Sequence, residues 1–133
     1  NWEKVDQGCI NGFANLTGGE QWIHTNMKRA SKESPFKTTI AHGFLTLSLI
    51  PKLTENFNFN DIHPNAKMVV NYGLNHVRFP YPIKSGSKIR GRVKITNATP
   101  FKNCIEVVNQ ISVEVEGRNR LGCIADTVVR VYY

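Results

Sequence analysis

The 133-residue chain has no stretch approaching the ~18 uncharged apolar residues that a membrane-spanning helix needs, so no membrane partner is expected. Its opening, Asn1-Trp2-Glu3-Lys4, has neither a basic n-region nor an apolar h-region, and no export signal is expected. Cysteine is scarce. Cys9, Cys104 and Cys123 make no C-x-x-C pair and, being odd in number, cannot all pair with one another, which excludes a disulfide scaffold and points to a reducing, cytoplasmic setting. The four histidines, His24, His42, His63 and His76, stand 18, 21 and 13 residues apart, without the ligand spacing of a zinc site, and no metal is expected. Internal repeats and low-complexity tracts are also lacking.

Acidic residues are missing from one long region, Met68 to Ile105, which holds Arg78, Lys84, Lys88, Arg90, Arg92, Lys94 and Lys102. The first 66 residues carry six basic and six acidic side chains, so the entire net charge of +7 lies in the second half. Such a field attracts anions. Ile89, Gly91, Val93 and Ile95 alternate with Lys88, Arg90, Arg92 and Lys94 at the period of a strand, giving one apolar and one basic face. The plainest account is an exposed face paired with Glu106, Glu114 and Glu116 on the next strand. The sharper account is a phosphate-bearing small ligand. Nucleic acid is not expected, because no aromatic residue is interleaved with these cations.

What is present is enough for one core. The chain is 41% hydrophobic with 7 Phe, 4 Tyr and 2 Trp, and its length is that of a single domain, residues 1–133. Apolar residues from Val5 to Leu16 recur at helical spacing, with Asp6 as a cap and Gly18-Gly19 as a stop, and a loop is expected over Glu20 to His24. Asn26 caps a second helix, Met27 to Glu33, which ends before Pro35. Ile40 to Leu53 is apolar nearly all round. As a helix it must be buried on most sides, with Phe44, Leu45, Leu47 and Leu49 among the least exposed residues, and Pro51 bends or ends it. Residues 54–65 are polar and Asn-rich and read as a loop. After Ala66, five segments rich in Val, Ile, Thr and Tyr read as strands: Met68–Tyr72, His76–Phe79, Lys88–Thr96, Ile105–Glu116 and Gly122–Tyr133. Helices first and hairpin-linked strands after make an α+β pattern with an antiparallel sheet around the apolar helix.

Two histidines carry the candidate chemistry. His24 follows a Gly-Gly turn, and His42-Gly43 opens the apolar helix. The first turn of a helix leaves N–H groups unpaired, which makes the Gly43 N–H a binder for a carbonyl or oxyanion. A neutral histidine beside it can hold a water or move a proton. Ser48 as a nucleophile would need a base nearby, and none stands beside it in the sequence.

Thr17-Gly18-Gly19-Glu20-Gln21-Trp22-Ile23-His24, followed sixteen residues later by Ile40-Ala41-His42-Gly43-Phe44-Leu45-Thr46-Leu47-Ser48-Leu49, resembles the MaoC-like dehydratases. The Gln-Trp-Ile-His form and Asn71-Tyr72-Gly73-Leu74-Asn75-His76-Val77-Arg78-Phe79 look most like the NodN-like branch. The resemblance spans essentially the whole chain. It implies a hot-dog fold, in which an antiparallel sheet wraps one long central helix and two copies form a homodimer. It also implies an (R)-specific enoyl-CoA hydratase of fatty acid metabolism, which adds water to trans-2-enoyl thioesters of coenzyme A or removes it from the (R)-3-hydroxyacyl product. No cofactor is implied, since coenzyme A enters as part of the substrate.

In the family pattern Thr-Gly-Asp-x-Asn/Gln-x-x-His, Asp and His jointly activate water. The resemblance places that His at His24, the thioester-binding N–H at Gly43 and the serine that buttresses the Asp at Ser48. Gln21, Trp22, His42 and Phe44 are the implied substrate contacts, with Arg78, Arg90 and Arg92 for the coenzyme A phosphates. The Asp position is Gly19. Two functions therefore stay open, a hydratase with an altered site and a non-catalytic binder of acyl thioesters. A hot-dog thioesterase is a weaker third, because those enzymes usually draw a carboxylate from the central helix and none lies between Ile40 and Leu53.

Overall fold

In the computed structural model, which describes residues 1–57 and 59–133, the chain opens with a three-residue strand, Glu3–Val5 (β1). Helix α1 (Gln7–Thr17) follows. The Asp6 carboxylate accepts the Cys9 N–H at 2.8 Å, and Gly18, at φ 79°, closes the helix by donating its N–H to Ala14. A single turn, Trp22–Thr25 (α2), leads into α3 (Met27–Glu33), which Asn26 caps through Arg29 N–H at 2.9 Å. His24 thus stands on a helical turn rather than in an open loop. Four residues are too few to show a period in sequence, and this turn is held from outside, by Gln7 Nε2 donating to the His24 carbonyl at 2.7 Å.

The apolar segment forms α4 (Gly43–Ser48) and α5 (Ile50–Leu53), joined through Leu49. Pro51 brings no N–H to the ladder, so the helix is interrupted where its preceding turn should be bonded. Leu45 (4% exposed), Thr46 and Ile50 face the core, whereas Phe44 is 69% exposed and Ser48 lies open on the same side. Burial on nearly every side is therefore corrected: five strands cover one side of this segment, and Leu47 and Leu49 are only half-buried. A further turn, Phe59–Ile62 (α6), interrupts the expected 54–65 loop, within which position 58 lies outside the described residues.

The sheet is antiparallel in the order β1-β3-β4-β5-β2, with β2 at Met68–Arg78, β3 at Ser87–Pro100, β4 at Cys104–Val115 and β5 at Cys123–Tyr132. The expected segments Met68–Tyr72 and His76–Phe79 are one strand, which ends at Arg78. Irregular register at Asn71/Gly73 and Leu74/Val77 absorbs the break in alternation and bends β2. A third bulge, at Ile95/Asn97, bends β3, and the sheet curls about α4 and α5. Val107, Asn109, Ile111, Val113 and Val115 point inward from β4 and are buried. β1 pairs with β3, where Glu3 lies opposite Ile89, and was invisible as a strand because only Val5 of its three residues is buried. Among the described residues no helix is long and apolar enough to cross a membrane.

Candidate active site

The histidine couple is assembled by α1, α2 and the start of α4. His24 donates Nδ1–H to the Ile40 carbonyl at 2.7 Å, an assignment fixed by the acceptor, since a carbonyl can only accept. Nε2 is then the basic nitrogen. Ile40 is itself held, its N–H donating to Ile23 O at 3.0 Å, and Ala41 N–H donates to Ile83 O at 2.7 Å. Gln7 completes the frame: it donates to the His24 main chain and accepts the hydroxyl of the fully buried Thr39 at 2.5 Å. Neither Gln7 nor Thr39 stood out in the sequence, because their partners lie 17 residues away on the His24 main chain and 32 residues away in each other's side chains.

His42 caps the site from below. Its ring stacks on His24 with centroids 3.9 Å apart, lies 5.0 Å from the Phe13 ring, and donates Nε2–H to the Gly19 carbonyl at 2.6 Å. His42 is buried and its Nδ1 has no partner among the described residues. Burial, foremost, and the neighbouring His42 push the His24 pKa below the ordinary histidine value, against the upward pull of the Ile40 hydrogen bond. His24 is accordingly neutral at physiological pH and able to accept a proton.

Gly19 lies against this couple. A Cβ built there would come 3.3 Å from two atoms of the His42 ring and 3.4 Å from Thr17 Oγ1, so a side chain at this position starts against His42. Gly43, at the start of α4, has no acceptor for its N–H among the described residues. Its lack of a Cβ has a packing cause: the Phe79 ring would sit 2.9 Å from one. Phe79 in turn lies 6.5 Å from Phe44.

The remaining expected residues divide. Arg78 adjoins Phe79 in sequence and is exposed. Ser48 donates to the Phe44 carbonyl at 2.7 Å within its own helix and lines a cavity instead of the histidine couple. Gln21 is exposed, and its carbonyl accepts the His24 N–H at 3.0 Å. Trp22 carries the Arg29 guanidinium 4.3 Å above its ring. Arg90 and Arg92 lie on the outer face of the sheet, both on Glu114, at 2.6 and 3.0 Å, and Arg90 also covers Trp2 at 4.3 Å. The Arg90 hydrogen bond holds the Glu114 carboxyl below the usual carboxylate range. The cross-strand account of the basic strand therefore holds for these two arginines, because alternation turns them away from α4.

The cavity, of about 510 Å³, lies between α4–α5 and the inner faces of β2 to β5, walled by Leu47, Ile50, Val69, Leu74, Ile111 and Val129. Its polar lining is Ser48, Thr54, Asn71, Tyr72, Asn109 and Thr127.

A family model described as "MaoC like domain" matches residues 1–117. The chain is 39% identical over 130 residues to 3-hydroxyacyl-thioester dehydratase Z of Mycobacterium tuberculosis, an alignment covering 97% of this chain and 83% of that protein. It is 40% identical over 134 residues to Nodulation protein N of Rhizobium leguminosarum bv. viciae, covering 99% and 81%. In structure it superposes on the (R)-hydratase of A. caviae involved in PHA biosynthesis with a TM-score of 0.77, at 20% identity and 97% and 89% coverage, which carries the hot-dog fold to this sheet and helix. The NodN-like sequence motifs, the family match over most of the chain and two relatives near 40% identity agree with the imidazole couple at the mouth of α4, and the chain belongs to the MaoC-like dehydratase family.

Proposed function

We propose that this protein binds trans-2-enoyl thioesters of coenzyme A and interconverts them with (R)-3-hydroxyacyl thioesters, using His24 as the proton carrier. The observation that carries the reading is the His24 Nδ1–H bond to Ile40, which leaves Nε2 basic beside the first turn of α4. In the hydration direction Nε2 takes a proton from water while the oxygen bonds to C3. The C2–C3 π electrons move toward the thioester carbonyl, where the Gly43 N–H receives the developing charge. The proton on Nε2 then passes to C2, restoring neutral His24 and leaving the thioester intact.

A second reading, binding of acyl thioesters without turnover, is favoured by Gly19, which offers no carboxylate to share the proton work. Coenzyme A phosphates are assigned to Arg78, which adjoins Phe79 at Gly43, rather than to Arg90 and Arg92. A homodimer is part of the proposal. Phe44 and, along the β2 edge, Val70, Tyr72 and Leu74 are apolar and 43–69% exposed, a surface that a second copy would cover.

Loss of enoyl absorbance with crotonyl-coenzyme A, together with calorimetric titration of butyryl-coenzyme A, tests both readings. Binding with turnover that vanishes in His24→Ala supports the hydratase, binding without turnover supports the binder, and absence of binding sinks both.

A further inference from the structure

The inner row of β4 is aliphatic at Val107, Ile111, Val113 and Val115, and Asn109 breaks it. Asn109 is 4% exposed, and its Oδ1 is shut from solvent with no hydrogen-bond partner among the described residues. Opposite it on β5 stands Thr127, whose hydroxyl is turned to the Asn109 main-chain carbonyl at 3.5 Å and does not serve the amide. Both residues line the cavity beneath α4 and α5. A buried amide oxygen left without a partner costs stability, and valine or leucine at this position would continue the aliphatic β4 row without that cost. The cavity is large enough for a medium acyl chain, and Leu47, one turn beyond Gly43, forms part of its wall.

We propose that the acyl group this protein takes carries a hydroxyl along its tail, beyond the carbons that react, and that Asn109 reads it. A hydroxyl both donates and accepts, so it satisfies the amide whichever way its oxygen and nitrogen are turned. The apolar remainder of the wall takes the methylenes on either side. The inference rests on the acyl-thioester reading above and names its substrate class.

The test is calorimetric titration of the full chain with saturated thioesters, which bind without turning over: hexanoyl- and octanoyl-coenzyme A beside their terminally and penultimately hydroxylated counterparts. One hydroxylated member should bind about three- to tenfold more tightly than its parent, the worth of one hydrogen bond in a protein setting. Asn109→Leu should abolish the preference while holding the plain chains at least as tightly; Asn109→Ala is the second variant should the leucine prevent folding. Plain chains binding as tightly as every hydroxylated one, or a preference that survives in the variant, overturns the inference and leaves the acyl-thioester reading standing. Failure of every thioester to bind overturns both.

Discussion

His24 and His42 stack with ring centroids 3.9 Å apart and planes 24° from parallel, although 18 residues separate them in sequence. Each gives its one N–H to a main-chain carbonyl, of Ile40 and of Gly19. Burial, foremost, and the His42 ring against it make His24 resist a proton, because the charge it would gain is desolvated.

Hydration should therefore keep its rate down to a pH below the ordinary histidine pKa of ~6.5 before an acid limb appears. His42→Phe retains a buried ring and removes the charge interaction, so the limb should move upward in pH. A pH–rate profile of the two proteins checks this, and an unmoved limb counts against His24 as the titrating group.

Stability should follow the same couple. The folded protein binds the His24 proton less readily than the unfolded chain, so stability is full above the unfolded value of ~6.5, falls as pH drops through the folded value, and levels off below it. Urea unfolding between pH 5 and 8 should show this slope in the wild type and lose part of it in His24→Ala.

Gly19→Asp should raise turnover at least tenfold with little change in affinity. Help from a positioned general base is worth roughly a hundred- to ten-thousandfold. The 3.3 Å approach of a Cβ to the His42 ring asks that ring to give by only a few tenths of an ångström, and Gly19 is not among the residues at positive φ. Equal turnover of variant and wild type would show that another group already does the work, with Glu20→Gln the next variant to measure.

Leu45→Ala should cost about 2–5 kcal/mol in chemical denaturation, since Leu45 sits in the main core cluster. Leu47→Ala should cost less, because Leu47 is half-buried and borders a cavity. Sedimentation should return a dimer at micromolar concentration, and Val70→Lys on the β2 edge should shift it toward a species of about 15.0 kDa.

Arg78→Glu should weaken binding of butyryl-coenzyme A, and the wild-type affinity should fall as salt rises, since exposed cations are screened. Arg90→Glu with Arg92→Glu should leave affinity within about twofold, because both side chains are held on Glu114 across the sheet.

Much of this was legible in the chain itself. Asp6 and Asn26 announce their helices because a cap acts on an N–H three residues on, and both bonds form as spacing requires. The buried β4 row follows from strict alternation, and the family motifs mark Gly19, His24 and Gly43 without coordinates. Local rules reach a few residues, and these features need no more.

Tertiary structure decided the rest, where the deciding contact comes from far along the chain. β1 is a strand because β3 supplies its partners more than 80 residues later. The apolar segment looked buried all round, yet a five-stranded sheet covers one side, leaving Phe44 exposed. For Arg90 and Arg92 the sequence left a cross-strand pairing and a phosphate ligand both open, and the register that sets Glu114 beside them decides for the pairing. Gly43 is a glycine because of Phe79, His24 shows its Nε2 because Ile40 takes the other nitrogen, and Asn109 Oδ1 has no partner among the described residues because the Thr127 hydroxyl opposite it turns to the main chain. Composition and periodicity determine which residues can be buried or charged; which atoms meet depends on how the sheet curls.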